Sequence, residues 1–156
     1  MQLTGHGLSV ELPGGWEGRI SRERRDAELA ELGAVTRPVA HLATFALPGD
    51  RGDFGSGAVD LAREDDAFVA LVEYGPEAVN TALFSHQGLP RRLDPRWFSP
   101  QALQRSLPPQ VGWQTFFTEA GRAFCLYVVL GDGGEAHLLS RRVGQVLAGV
   151  HIEGGR

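Results

Sequence analysis

The chain has 156 residues, 42% hydrophobic and 22% charged, which fits one globular domain large enough to bury a core without a disulfide or metal staple. Its net charge of −4 argues against a general binder of nucleic acid or anionic membrane. No apolar run approaches the roughly 18 residues of a membrane span, and Cys125, the single cysteine, cannot form an intrachain disulfide.

The first residues, Met1–His6, carry neither a basic region nor an apolar core, so no secretory leader is read there and a cytoplasmic location is expected. All fifteen basic residues are arginine, and glycine reaches 21, the composition of a GC-rich bacterial genome. One domain is expected over residues 1–156, with flexible ends at 1–6 and 153–156.

In chain order, Leu8, Val10 and Leu12 alternate with Ser9 and Glu11, the period of a half-buried strand. Pro13-Gly14-Gly15 is a turn, and Trp16 to Ser21 reads as a second strand. The charged stretch Arg22 to Leu32 predicts a frayed helix or a loop. Val39 to Leu47 reads as a strand, and the glycine-rich Pro48 to Gly57 as a loop. Ser56 or Gly57 is placed to cap a short helix reaching about Asp65.

Ala67 to Tyr74 is apolar almost throughout, which predicts a strand buried on both faces. Residues 76–98 read as irregular. Ser99-Pro100 predicts an N-cap with proline at the first helical position, opening a short helix from Gln101 to Leu107. Val111 to Thr118 and Arg122 to Leu130 predict a hairpin, with Gly121 supplying positive φ. Ala136 to Ala148 is the clearest helix, with Leu138, Leu139, Val143, Val146 and Leu147 on one stripe. Val150 to Ile152 reads as a last strand or an extended tail.

This order resembles the PsbP-like superfamily. The likeness is carried by the strand and Pro-Gly-Trp-type turn from Leu8 to Trp16, the hairpin Thr115 to Leu130, the helix Ala136 to Ala148 and the short apolar end Val150 to Ile152. The resemblance implies an antiparallel sheet sandwiched between helices, and a binding or assembly role with no catalytic residues to carry over. The fold class expected is therefore an α/β sandwich of α+β type: a mainly antiparallel central sheet flanked by helices.

Few residues point to chemistry. Cys125 lies mid-strand among apolar neighbours, which favours an inert buried thiol over a nucleophile served by His137 or His151. His6, His41, His86, His137 and His151 show no metal-ligand spacing. Asp60, Glu64, Asp65 and Asp66 form an acidic patch, with Asp60 and Glu64 on one face of the expected short helix. The loop Gly52 to Gly57 lacks the Gly-Lys-Ser/Thr of a phosphate loop. No catalytic residue, cofactor-binding residue or metal ligand is assigned, and no cofactor is expected.

The segment His86 to Phe98 carries the residue types that dominate interface energy. Arg91, Arg92, Arg96, Trp97 and Phe98 are the candidate partner-binding residues, with Arg51, Asp53 and Phe54 of the glycine-rich loop as an adjoining patch. The rival reading folds Trp97 and Phe98 back as core plugs. The expected function is a non-enzymatic protein-interaction or assembly module, binding another protein or a second copy of itself. A small-molecule or lipid-binding domain, with a deep apolar pocket between sheet and helix, is the alternative. A hydrolase using Cys125 or a histidine is third.

Overall fold

The computed structural model describes residues 1–22 and 37–154. Among the described residues two antiparallel sheets are formed. The larger contains β3 (Glu17–Ser21), β4 (Val39–Ala43), β5 (Ala67–Glu73), β6 (Val111–Glu119) and β7 (Arg122–Leu130), in the order β3-β4-β5-β7-β6. The smaller has the order β1-β2-β8, with β1 at Gln2–Gly5, β2 at Leu8–Glu11 and β8 at Val150–Ile152. Among the described residues one α-helix, α1 (Ala136–Ala148), lies between β7 and β8 in sequence.

β5 and β7 occupy interior positions of the larger sheet, paired from Ala67↔Leu130 to Glu73↔Phe124. Because both sheet faces are covered, these strands are apolar throughout rather than alternating, and every residue of β7 is buried. Phe124, Leu126, Val128 and Leu130 share one face with Val69 and Leu71, against Leu139, Val143 and Leu147 of α1 and Leu8 and Val10 of β2. Tyr127 and Val129 turn to the other face with Phe68, Ala70 and Val72, against Ala58, Phe54, Val59 and Leu103.

The fold is therefore α+β with mostly antiparallel sheets, but the expected flanking by helices is corrected. Among the described residues, α1 and the smaller sheet cover one face, and irregular chain covers the other. The physical reason lies in 44–66, whose Pro48 and glycines at 49, 52, 55 and 57 disfavour helix while letting single side chains drop onto the sheet. The helix expected up to Asp65 is one 3₁₀ turn, Val59–Leu61, without a side-chain cap. The helix expected over Gln101 to Leu107 is likewise one turn, Pro100–Ala102, although Ser99 caps it as read.

Three further expectations change. Leu8–Leu12 was expected in the main sheet, but β2 belongs to the smaller one. Residues 2–5, read as a flexible end, form β1, registered from Gln2↔Glu11 to Gly5↔Leu8. The strand from Val39 ends at Ala43, where the Thr44 hydroxyl donates to Asp66 Oδ1 at 2.8 Å and accepts from the Ala67 amide. The segment 23–32, expected as frayed helix or loop, lies outside the described residues.

Two close approaches join the sheets. At Gly18 an added Cβ would stand 2.9 Å from Leu3 and 3.0 Å from Leu42, so β1 rests on β3 where no side chain intervenes. At the other approach, Arg122 follows a two-residue turn in which Ala120 (φ 54°) and Gly121 (φ 73°) are both left-handed, the pattern that matches strand twist. Its guanidinium donates to Glu73 Oε1 (2.7 Å) and Oε2 (3.0 Å), and to the carbonyls of His6 (3.1 Å), Gly7 (3.1 Å) and Glu153 (3.2 Å). β5, β7, the β1–β2 turn and the chain after β8 thus meet at one buried cation.

Replacing Arg122 by alanine strands the largely buried Glu73 carboxylate and frees three carbonyls. The expected cost is about 3–5 kcal/mol of folding stability. Arg122→Lys should lose most of it too, since an ammonium cannot reproduce the planar fork. Urea denaturation of the two variants checks both.

Candidate interaction face

The loop from Gly88 to Phe98 is ordered by specific bonds. The Leu89 amide donates to Glu119 Oε1 at 2.8 Å, and the Leu89 side chain is buried. Arg91 donates to the carbonyls of Leu147 and Val150, satisfying an orphan carbonyl at the end of α1. Leu93 packs on the core. Asp94 then caps the 3₁₀ turn Pro95–Trp97 by accepting from the Arg96 amide at 2.9 Å. The Arg96 guanidinium folds back to bond both oxygens of the same carboxylate. These hydrogen bonds hold the Asp94 carboxyl down at about 2, so the clamp persists well into acid.

The clamp aims Trp97 at β6. Its ring stacks on Trp113 with centroids 4.9 Å apart and planes 29° apart, while its outer face keeps it 46% exposed. Phe98 lies 6.2 Å from Trp113 on the inner side, half-buried against the main core. Beyond it, Ser99 exchanges two backbone hydrogen bonds with Gly112. Trp97 is thus a propped, half-exposed platform, and Phe98 is the residue that turns inward.

The candidate residues divide on this geometry. Arg91 is used on the molecule's own helix end, and Arg96 on Asp94. Arg92 is exposed, with no side-chain hydrogen bond or ion pair among the described residues. Arg51, Asp53 and Phe54 do not join this face, because they lie across the sheet. Arg51 is buried, donating to His41 Nδ1 (2.7 Å) and to the Pro48 carbonyl (2.7 Å). His41 Nε2 is left to donate to the Asp53 carbonyl at 2.7 Å, which holds the glycine-rich loop on the sheet. Phe54 meets Tyr127 edge-on at 5.9 Å.

The remaining chemistry-bearing residues are dispersed. Among the described residues no group of three His, Cys, Asp or Glu could hold a metal ion. Asp60 pairs with Arg105 at 2.9 Å, Asp66 staples the chain at Thr44, and Glu64 and Asp65 are exposed. Asp60 and Glu64 share no helix face, since that segment makes only one 3₁₀ turn. The contact of α1 with the sheet is filled by fully buried Leu139, Val143 and Leu147. A polar cleft of about 410 Å³ opens at the rim by Arg122, lined among the described residues by Arg22, Arg37, Tyr74 and Glu153.

Sequence reasoning missed Trp113 and Arg122. Trp113 stood inside a strand already assigned, and its partner Trp97 could not be paired with it from spacing. Arg122 did leave a trace, as a lone charge heading the apolar run Ala123 to Leu130. Comparison with protein-family models, curated proteins and solved structures gives no match.

Cys125 is fully buried, and desolvation pushes its thiol up to about 12 from an ordinary value of 9. Thiol reagent at neutral pH should therefore leave the folded protein unlabelled and modify it only on unfolding. Between about pH 9 and 12 the unfolded chain has released this proton and the folded chain has not. The unfolded state then binds fewer protons, so stability falls as pH rises through that window. Urea midpoints should show a shallower decline in Cys125→Ala.

Proposed function

We propose that this chain is a non-enzymatic protein-interaction module that binds a partner through the face built by Trp97, Trp113 and Arg92. The observation that carries this reading is the state of Trp97: nearly half exposed, yet held by a ring stack and by the Asp94–Arg96 clamp. An exposed tryptophan contributes little to folding. Held in one orientation, it is the kind of pre-ordered aromatic anchor that contributes most to association. Arg92 supplies an unspent cation on the same loop. The likeness of the opening strand–turn–strand and the closing hairpin–helix–strand to PsbP-like domains supports the same reading, binding without catalysis.

The test separates anchor from core. Trp97→Ala should lower stability by no more than about 1 kcal/mol, a melting shift of about 2–4 °C for a chain of this size. A photo-crosslinker replacing Arg92 should capture a discrete partner in the native cell, and Trp97→Ala in the same protein should abolish that adduct. A crosslinker replacing exposed Leu61 serves as the control. A stability loss of about 3–5 kcal/mol would make Trp97 a structural plug instead. Identical adducts from the two crosslinking positions would reject the face.

A further inference from the structure

β6 is the outer strand of the larger sheet, and among the described residues its free edge is paired at its two ends alone. At one end Gly112 exchanges backbone hydrogen bonds with Ser99, N–H to O at 3.0 and 2.9 Å. At the other the Thr118 amide donates to the His86 carbonyl (2.8 Å), and the Thr118 carbonyl accepts from Gly88 (2.9 Å). Backbone groups of alternate residues point the same way along a strand. Gln114 and Phe116 therefore direct their N–H and C=O groups outward with Gly112 and Thr118. No backbone or side-chain partner meets these groups among the described residues. An open window is left between two closed brackets.

We propose that this window accepts a short extended peptide of alternating acidic and aliphatic residues, added to the sheet beside β6. The proposal rests on the interaction-module reading and names its partner's chemistry. The two brackets are six residues apart, about 20 Å of strand, room for roughly five extended residues paired through Gln114 and Phe116. One aliphatic side chain of the peptide would lie over the Trp97–Trp113 stack, which flanks the window on the face that Trp113 shares.

Charge selects the peptide's sign. Asp94 is the sole carboxylate of the Gly88 to Phe98 loop and is spent on Arg96. Glu119 lies at the far bracket, six residues along the strand from Trp113, and accepts from the Leu89 amide. Arg92 has no ion-pair partner among the described residues. Arg141 of α1 is exposed as well. With three arginines against its one aspartate, the Gly88 to Phe98 loop carries net positive charge.

A second copy of β6 cannot be the occupant. Paired about a two-fold axis at Thr115, Gly112 of one chain would face Thr118 of the other. Both positions are already filled by Ser99 and by His86 to Gly88 of each chain.

The experiment presents a library of pentapeptides alternating Asp or Glu with Val, Ile or Leu, and follows amide exchange of the protein by NMR. Bound members should slow exchange of the Gln114 and Phe116 amides at least tenfold. N-methylation of alternate peptide residues should abolish binding, and lysine in place of the acids should weaken it at least tenfold. Gln114→Pro removes an outward N–H and no sheet hydrogen bond, so it should weaken binding at least tenfold without shifting the melting temperature. Absence of binding by any member at about 1 mM overturns the proposal. Binding that leaves the two amides exchanging freely rejects strand addition while keeping the Trp97 face. Equal binding of lysine peptides rejects the acidic partner. Loss of binding in Trp97→Ala with amide protection intact in the native protein is the result expected if both readings hold.

Discussion

One guanidinium determines how the two sheets of this protein meet. Arg122 has five N–H groups, and all five are directed at oxygen: two at the Glu73 carboxylate and three at carbonyls of the smaller sheet's turn and its exit. The stability of the fold comes from apolar burial on both faces of β5 and β7, and that burial is indifferent to small slides of one sheet over the other. The arginine is not indifferent, because any slide leaves a buried donor or acceptor unpaired. Gly7 belongs to the same constraint. Its φ of 77° and the 2.6 Å that would separate a Cβ from the guanidinium leave room only for glycine.

With the sheets so fixed, the two sides of the larger sheet have different coverings. The side facing α1 is packed by regular structure through Leu139, Val143 and Leu147. The opposite side is roofed by the glycine-rich loop, whose arginine and histidine are consumed in holding it down. What remains open is the rim. The β6 edge and the loop propped against it offer unpaired backbone and an exposed aromatic ring at one place, which is why the functional reading settles there rather than on Cys125 or the acidic patch.

Legibility in the sequence followed the range of the interactions. β5, β7 and α1 could be read because their patterns are local: two continuous apolar runs, and a stripe at helical spacing. The Ser99 cap and the turn before Arg122 were legible for the same reason. The split into two sheets was not, since β2 pairs with β8, and nothing near Leu8 says whether its partner is β3 or a strand at the far end. β1 was hidden by its polarity: half its residues are exposed, and only pairing with β2 makes it a strand. The candidate loops show the same limit. Arginine and aromatic content marked 88–98 and 49–57 alike. Burial of Arg51 against His41, and exposure of Trp97 against Trp113, depend on contacts 10 and 16 residues away in sequence, across different faces of the sheet.

The pairing of β2 with β8 also has a consequence in time. Val10 finds Val150, and Leu8 finds Ile152, across some 140 residues of chain. At a translation rate of about 5–20 residues per second, the N-terminal hairpin waits roughly 7–28 s on the ribosome for its third strand. Until the larger sheet and α1 have followed, Leu8, Val10 and Leu12 present an apolar face without its cover. The last strand thus closes a surface that the first hairpin opened, and the fold is complete only when both ends of this sequence meet.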